Sequence, residues 1–127
     1  MQTTDLSRGL VGVVTGWGRT GVPASAPMSA SLQAVKVPVL PPGVCAGEPG
    51  STRPQSDQLC AGLSHSARTA CPGDSGGGLA VRNNSGSWNI LGIVSSGPVE
   101  CGLTPVLYHN INTSLDWIRS IIFSAGA

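Results

Sequence analysis

Cys71-Pro72-Gly73-Asp74-Ser75-Gly76-Gly77-Gly78 is the stretch on which the reading of this 127-residue chain turns. Its serine lies among glycines, which accept backbone conformations closed to other residues. A tight turn there exposes the hydroxyl and lets backbone N–H groups converge on a developing oxyanion. Downstream, Gly78 to Arg82, Trp88 to Ser95 and Val106 to Ile111 read as short strands, and Asn83 to Gly86 as a hairpin turn. Upstream, Gly9 to Trp17 and Leu59 to Gly62 read as strands, and Arg19 to Ser31 as a polar loop. In Val35-Lys36-Val37-Pro38-Val39 every second residue is apolar, as a half-buried strand requires. Pro38 confines that strand to an edge or a bulge, and Pro41-Pro42-Gly43 ends it.

Composition agrees with an all-β domain. The chain has 18 glycines and 10 prolines, and only 4% of its residues are aromatic, which suits short strands and tight turns. A net charge of +1, with 10% charged residues, leaves no basic patch for nucleic acid. No apolar run approaches the roughly 18 residues of a membrane span, and the first residues show no secretory signal. Cys45, Cys60, Cys71 and Cys101 have neither Cys-x-x-Cys nor zinc-type spacing, so no metal and no cofactor are expected. Two disulfides outside the cytosol are expected instead, with three pairings open. Antiparallel barrels often run to about 200–250 residues, so the chain reads as half of something.

Only the C-terminus reads as helical. Leu115, Ile118, Ile121 and Ile122 share a face over 113–123, with Thr113 and Asp116 spaced as a capping box. One Arg and no Lys on the polar face favour docking on the barrel over a membrane surface. Asn83-Asn84-Ser85 and Asn112-Thr113-Ser114 are sequons, so Asn83 and Asn112 are possible glycan sites, the hairpin-turn Asn83 being the better. The letters around Ser75 also satisfy the elbow of α/β-hydrolases. That motif needs a helix after the serine, then an acid, then a histidine. Here a strand follows, and His109 precedes Asp116.

Beyond Gly73 to Gly77, several stretches occur in an order that resembles the chymotrypsin family of serine endopeptidases: Val14-Thr15-Gly16-Trp17-Gly18, Leu59-Cys60-Ala61-Gly62, Leu91 to Gly97, Pro105 to Tyr108 and Asp116-Trp117-Ile118. The resemblance implies a six-stranded antiparallel Greek-key barrel with a C-terminal helix, residues 1–127 being the C-terminal barrel of a two-barrel protease. It implies Ser75 as nucleophile, the N–H groups of Gly73 and Ser75 as oxyanion hole, and Asp74 as partner of the N-terminus freed by zymogen cleavage. It also implies the disulfides Cys45–Cys60 and Cys71–Cys101, a peptide or protein substrate and an extracellular location.

The departures are equally informative. The histidine and aspartate that would activate Ser75 belong to the family's N-terminal barrel, and neither His65 nor His109 stands at a matching position. The chain alone is therefore expected to be inactive and to need that barrel as partner. The alternative is a protease homologue that only binds a peptide strand. The specificity pocket falls to Thr69, Ala70, Pro72, Ser95, Ser96, Gly97 and Val106. Thr69 stands at the base where an aspartate would select Arg or Lys, and Val106 replaces a glycine that leaves the pocket open. A small or medium apolar P1 residue is expected rather than a basic one. Glu100, near the rim, reads as a solvated loop charge.

Overall fold

The computed structural model describes residues 10–20, 25–48, 51, 53–66, 68–97 and 101–124; Gly9 and Glu100 lie outside them. Six strands, β1 (Val11–Gly16), β2 (Gln33–Leu40), β3 (Gln58–Ala61), β4 (Gly78–Arg82), β5 (Trp88–Ser96) and β6 (Val106–Asn110), close into an antiparallel barrel. The order around the barrel is β1-β2-β3-β6-β5-β4. β4, β5 and β6 form consecutive hairpins, and β3 lies beside β6, which is the Greek-key arrangement. Alternation fills the interior: Val14, Val37, Val39, Leu59, Leu79, Leu91, Val94, Val106 and Tyr108 point inward and are buried together. Two irregularities shape β5. The one between Val94 and Ser96 leaves Ser95 without a rung, and pairing with β6 resumes at Ser96, opposite Leu107.

Four local expectations need correction. Pro38 is in neither an edge strand nor a bulge, because a closed barrel has no edge and β2 pairs with β1 and β3. Its carbonyl accepts the Gly62 N–H at 2.9 Å, so its absent N–H falls where β3 ends and disrupts no interior rung. Pro41-Pro42-Gly43 does end the strand, but it also starts a helix that the sequence did not suggest, α1 (Pro42–Gly47). Pro42 suits a first helical position, and Cys45 is buried with Leu40 and Cys60, to which it is disulfide-bonded. The C-terminal helix α2 (Leu115–Ser124) follows a 3-10 turn at Ile111–Ser114. Thr113 does not cap it: its hydroxyl donates to the Asn110 carbonyl, and the Asn110 side chain accepts the Asn112 N–H. Only Leu115 of α2 is buried, while Trp117, Ile121, Ile122 and Phe123 are exposed, so most of its apolar face does not dock on the barrel.

Candidate active site

The loop from β3 to β4 carries Ser75 on two successive turns. Asp74 N–H donates to the Cys71 carbonyl and Gly77 N–H to the Asp74 carbonyl, each at 3.0 Å. Gly73 and Gly76 occupy the third position of each turn with φ of 97° and 86°, a region that L side chains rarely enter. Gly76 N–H then reaches the Val94 carbonyl, and Val94 N–H reaches the Gly77 carbonyl, both at 2.9 Å. These bonds fasten the turn to the kinked end of β5. The Cys71–Cys101 disulfide ties down its other end, as Cys45–Cys60 does for α1, and both pairings are those implied by the resemblance.

The turn consumes the N–H groups of Asp74, Gly76 and Gly77 but leaves those of Gly73 and Ser75 without a hydrogen-bond partner among the described residues. Ser75 is exposed. Beside it opens a cavity of about 490 Å³ that also touches Ala70, Pro72, Ser95, Ser96, Gly97 and Val106, all expected pocket residues. Thr69 lies next to Ala70 but does not touch this cavity. It is buried, with its hydroxyl 3.3 Å from where a Cβ on Gly62 would stand, and it lines a second cavity of about 200 Å³ with Asp74. Val106 lines the first cavity beside Gly97, its Cγ2 lying 3.2 Å from where a Cβ on Gly97 would be.

Asp74 is tied at both carboxylate oxygens, Oδ1 accepting Gly18 N–H at 2.8 Å and Oδ2 accepting Cys71 N–H at 2.9 Å. Gly16 and Gly18 stand in the stretch Val14-Thr15-Gly16-Trp17-Gly18, to which the resemblance gave no role at the site. In the fold they make room for this carboxylate, which a Cβ on either glycine would overlap. The Gly-x-Gly spacing around Trp17 was the available signal. Two further supports carried none. Met28 packs its sulfur against Gly73, where a Cβ would come within 2.7 Å, and Arg19 N–H holds the Pro72 carbonyl at 3.0 Å. The hydroxyls of Tyr108 and Thr69 are buried with no hydrogen-bond partner among the described residues. Burial, and then the Asp74 charge, push the Tyr108 phenol well above its ordinary range.

Neither histidine joins Ser75. His65 stands in an exposed turn with a φ of 55°, and His109 Nε2 is paired with Ser114 Oγ at 2.7 Å. Asp116 is paired with Arg119 on α2. Among the described residues, no cluster of three or more His, Cys, Asp or Glu could hold a metal ion, and no helix is long and apolar enough to cross a membrane.

Comparison with known proteins agrees with this architecture. A family model described as Trypsin matches residues 2–118. The chain is similar to transmembrane protease serine 11G of Mus musculus, with 38% identity over 84% of the chain and 26% of that protein. It is similar to CLIP domain-containing serine protease B4 of Anopheles gambiae, with 38% identity over 91% of the chain and 32% of that protein. For trypsin-1 of Astacus astacus the identity is 34%, over 85% of the chain and 45% of that protein. The chain thus spans less than half the length of each of these relatives. Fold, disulfide-braced serine turn and family match converge: the chain belongs to the trypsin family of serine proteases.

Proposed function

We propose that this barrel is the nucleophile-bearing half of a serine endopeptidase, completed by a second barrel that supplies a histidine and an aspartate. The observation that carries the reading is the pair of unpartnered N–H groups on Gly73 and Ser75, beside an exposed hydroxyl and an open cavity. In the assembled enzyme Ser75 Oγ attacks the scissile carbonyl and gives its proton to the partner barrel's histidine. Gly73 and Ser75 hold the oxyanion, the histidine returns the proton to the leaving amine, and water then hydrolyses the acyl-enzyme. Without a base the Ser75 hydroxyl stays protonated, so the barrel alone does not turn over.

Asp74 is the partner of an N-terminal ammonium released by zymogen cleavage. A carboxylate offers about four acceptor positions, and its two bonds to Gly18 and Cys71 leave capacity toward the 200 Å³ cavity it lines. The branched side chain of Val106 lines the open cavity and narrows the substrate pocket, which favours a small or medium apolar P1 residue over Arg or Lys. The disulfides suit an extracellular location. The exposed apolar residues Trp17, Ile90, Trp117 and Phe123 are consistent with a protein partner covering part of this surface.

Turnover of peptide substrates tests the reading. The purified chain and its Ser75→Ala variant should give equal, background rates. With an N-terminal barrel from a relative added, only the chain retaining Ser75 should show turnover. A folded assembly without Ser75-dependent turnover would favour the peptide-binding homologue.

A further inference from the structure

The structure assigns Asn83 as the attachment site of an N-linked glycan, a modification independent of the proteolytic reading. Asn83 opens the turn between β4 and β5. Its Oδ1 accepts the Ser85 N–H at 3.1 Å, the Ser85 hydroxyl at 2.7 Å and the Ser87 N–H at 2.9 Å. Three donors converging on one atom identify it as the oxygen, which leaves Nδ2 with no hydrogen-bond partner among the described residues. Residues 82–90 are all exposed, so a bulky saccharide on Nδ2 meets solvent and displaces no core side chain. The turn is held from below by Arg82 Nε donating to the Gly86 carbonyl at 3.1 Å, and by the Arg82 guanidinium over the Trp88 ring.

The second sequon has the opposite surroundings. The Asn112 N–H is bound by Asn110 Oδ1, the Thr113 hydroxyl donates to the Asn110 carbonyl, and the Ser114 hydroxyl is paired with His109 Nε2 on β6. Its third residue is thus engaged in the fold, whereas Ser85 engages only the asparagine to be modified. The disulfides Cys45–Cys60 and Cys71–Cys101 call for the oxidising route on which such glycans are added. The donor class is a lipid-diphosphate-linked oligosaccharide. Asn83 Nδ2 forms a bond to the anomeric carbon, the bond from that carbon to the phosphate oxygen breaks, the lipid diphosphate leaves, and Nδ2 loses one proton.

The test is translation of the full chain behind a secretion leader, first with microsomes, where folding is not required, and then as secreted protein. One mobility step sensitive to peptide N-glycosidase is expected in both. It is lost in Asn83→Gln and Ser85→Ala and kept in Asn112→Gln, and enzymatic release should leave aspartate at 83 by peptide mass. Absence of the step from the wild-type chain, or its survival in Asn83→Gln, would overturn the assignment.

Discussion

Gly18 donates its backbone N–H to Asp74 Oδ1 at 2.8 Å, a bond that joins the end of β1 to the serine turn across 56 residues of sequence. The approach exists because residue 18 has no Cβ: one placed there would lie 2.6 Å from Asp74 Cγ. Gly18→Ala should therefore push the carboxylate off both its donors and cost about 1–3 kcal/mol. Urea denaturation of the two proteins checks this, and an unchanged midpoint would mean that the turn does not depend on the contact.

Tyr108 is the chain's single tyrosine, so its ionisation can be read from ultraviolet absorbance without interference. Burial and the Asp74 charge raise its pKa in the folded state above the ordinary value near 10. A raised folded value means that the stability from the neutral phenol is intact below about pH 10 and is lost as pH climbs toward the folded pKa. The native protein should show no phenolate signal at pH values where the urea-denatured chain is fully ionised. Tyr108→Phe should remove this alkaline instability and leave neutral-pH stability within about 1 kcal/mol, because the hydroxyl has no hydrogen-bond partner among the described residues.

Val106→Ala probes the pocket. Removing two buried methyls should cost about 2 kcal/mol of stability. In an assembled, active enzyme the ratio of kcat/KM for a Phe P1 substrate to that for an Ala P1 substrate should rise by about 10-fold or more. An unchanged ratio would show that Val106 is not the side chain limiting P1 size.

The two disulfides should separate in their effects on the turn. Removing either pair should cost about 2–5 kcal/mol. Only removal of Cys71–Cys101 should raise hydrogen exchange across 72–77, since Cys71 lies within the loop whose N–H it donates to Asp74. Equal exchange in the two variants would contradict that division.

Much of the barrel is legible in the sequence where its strands alternate, as β2 and β4 do. Val35, Val37 and Val39 face inward as their spacing demands, and β4 spans Gly78–Arg82 as read from the residues. What was not legible depends on partners distant in sequence. The helix α1 has poor intrinsic propensity, and its Cys45 is fixed in place by Cys60. Thr113 had the spacing of a cap, but Asn110, at the end of β6, reaches the 3-10 turn first. The serine turn was legible as chemistry from Gly73 to Gly77. Of its supports, Met28 carried no signal, and the Gly-x-Gly spacing of Gly16 and Gly18 marks a close approach without naming Asp74 as the group that makes it. Thr69, which the resemblance puts at the base of the substrate pocket, is buried beside Gly62 and lines the smaller cavity with Asp74, a placement that depends on residues distant in sequence.

Covalent labelling of Ser75 tests the central claim most directly. The chain, refolded with an N-terminal barrel that carries histidine, aspartate and a cleaved N-terminus, is treated with a fluorophosphonate and mapped by peptide mass. The account predicts adduct on Ser75 in the assembly, none in Ser75→Ala, and none in the chain alone. A well-folded assembly that leaves Ser75 unlabelled, or a lone barrel labelled as fast as the assembly, would contradict it.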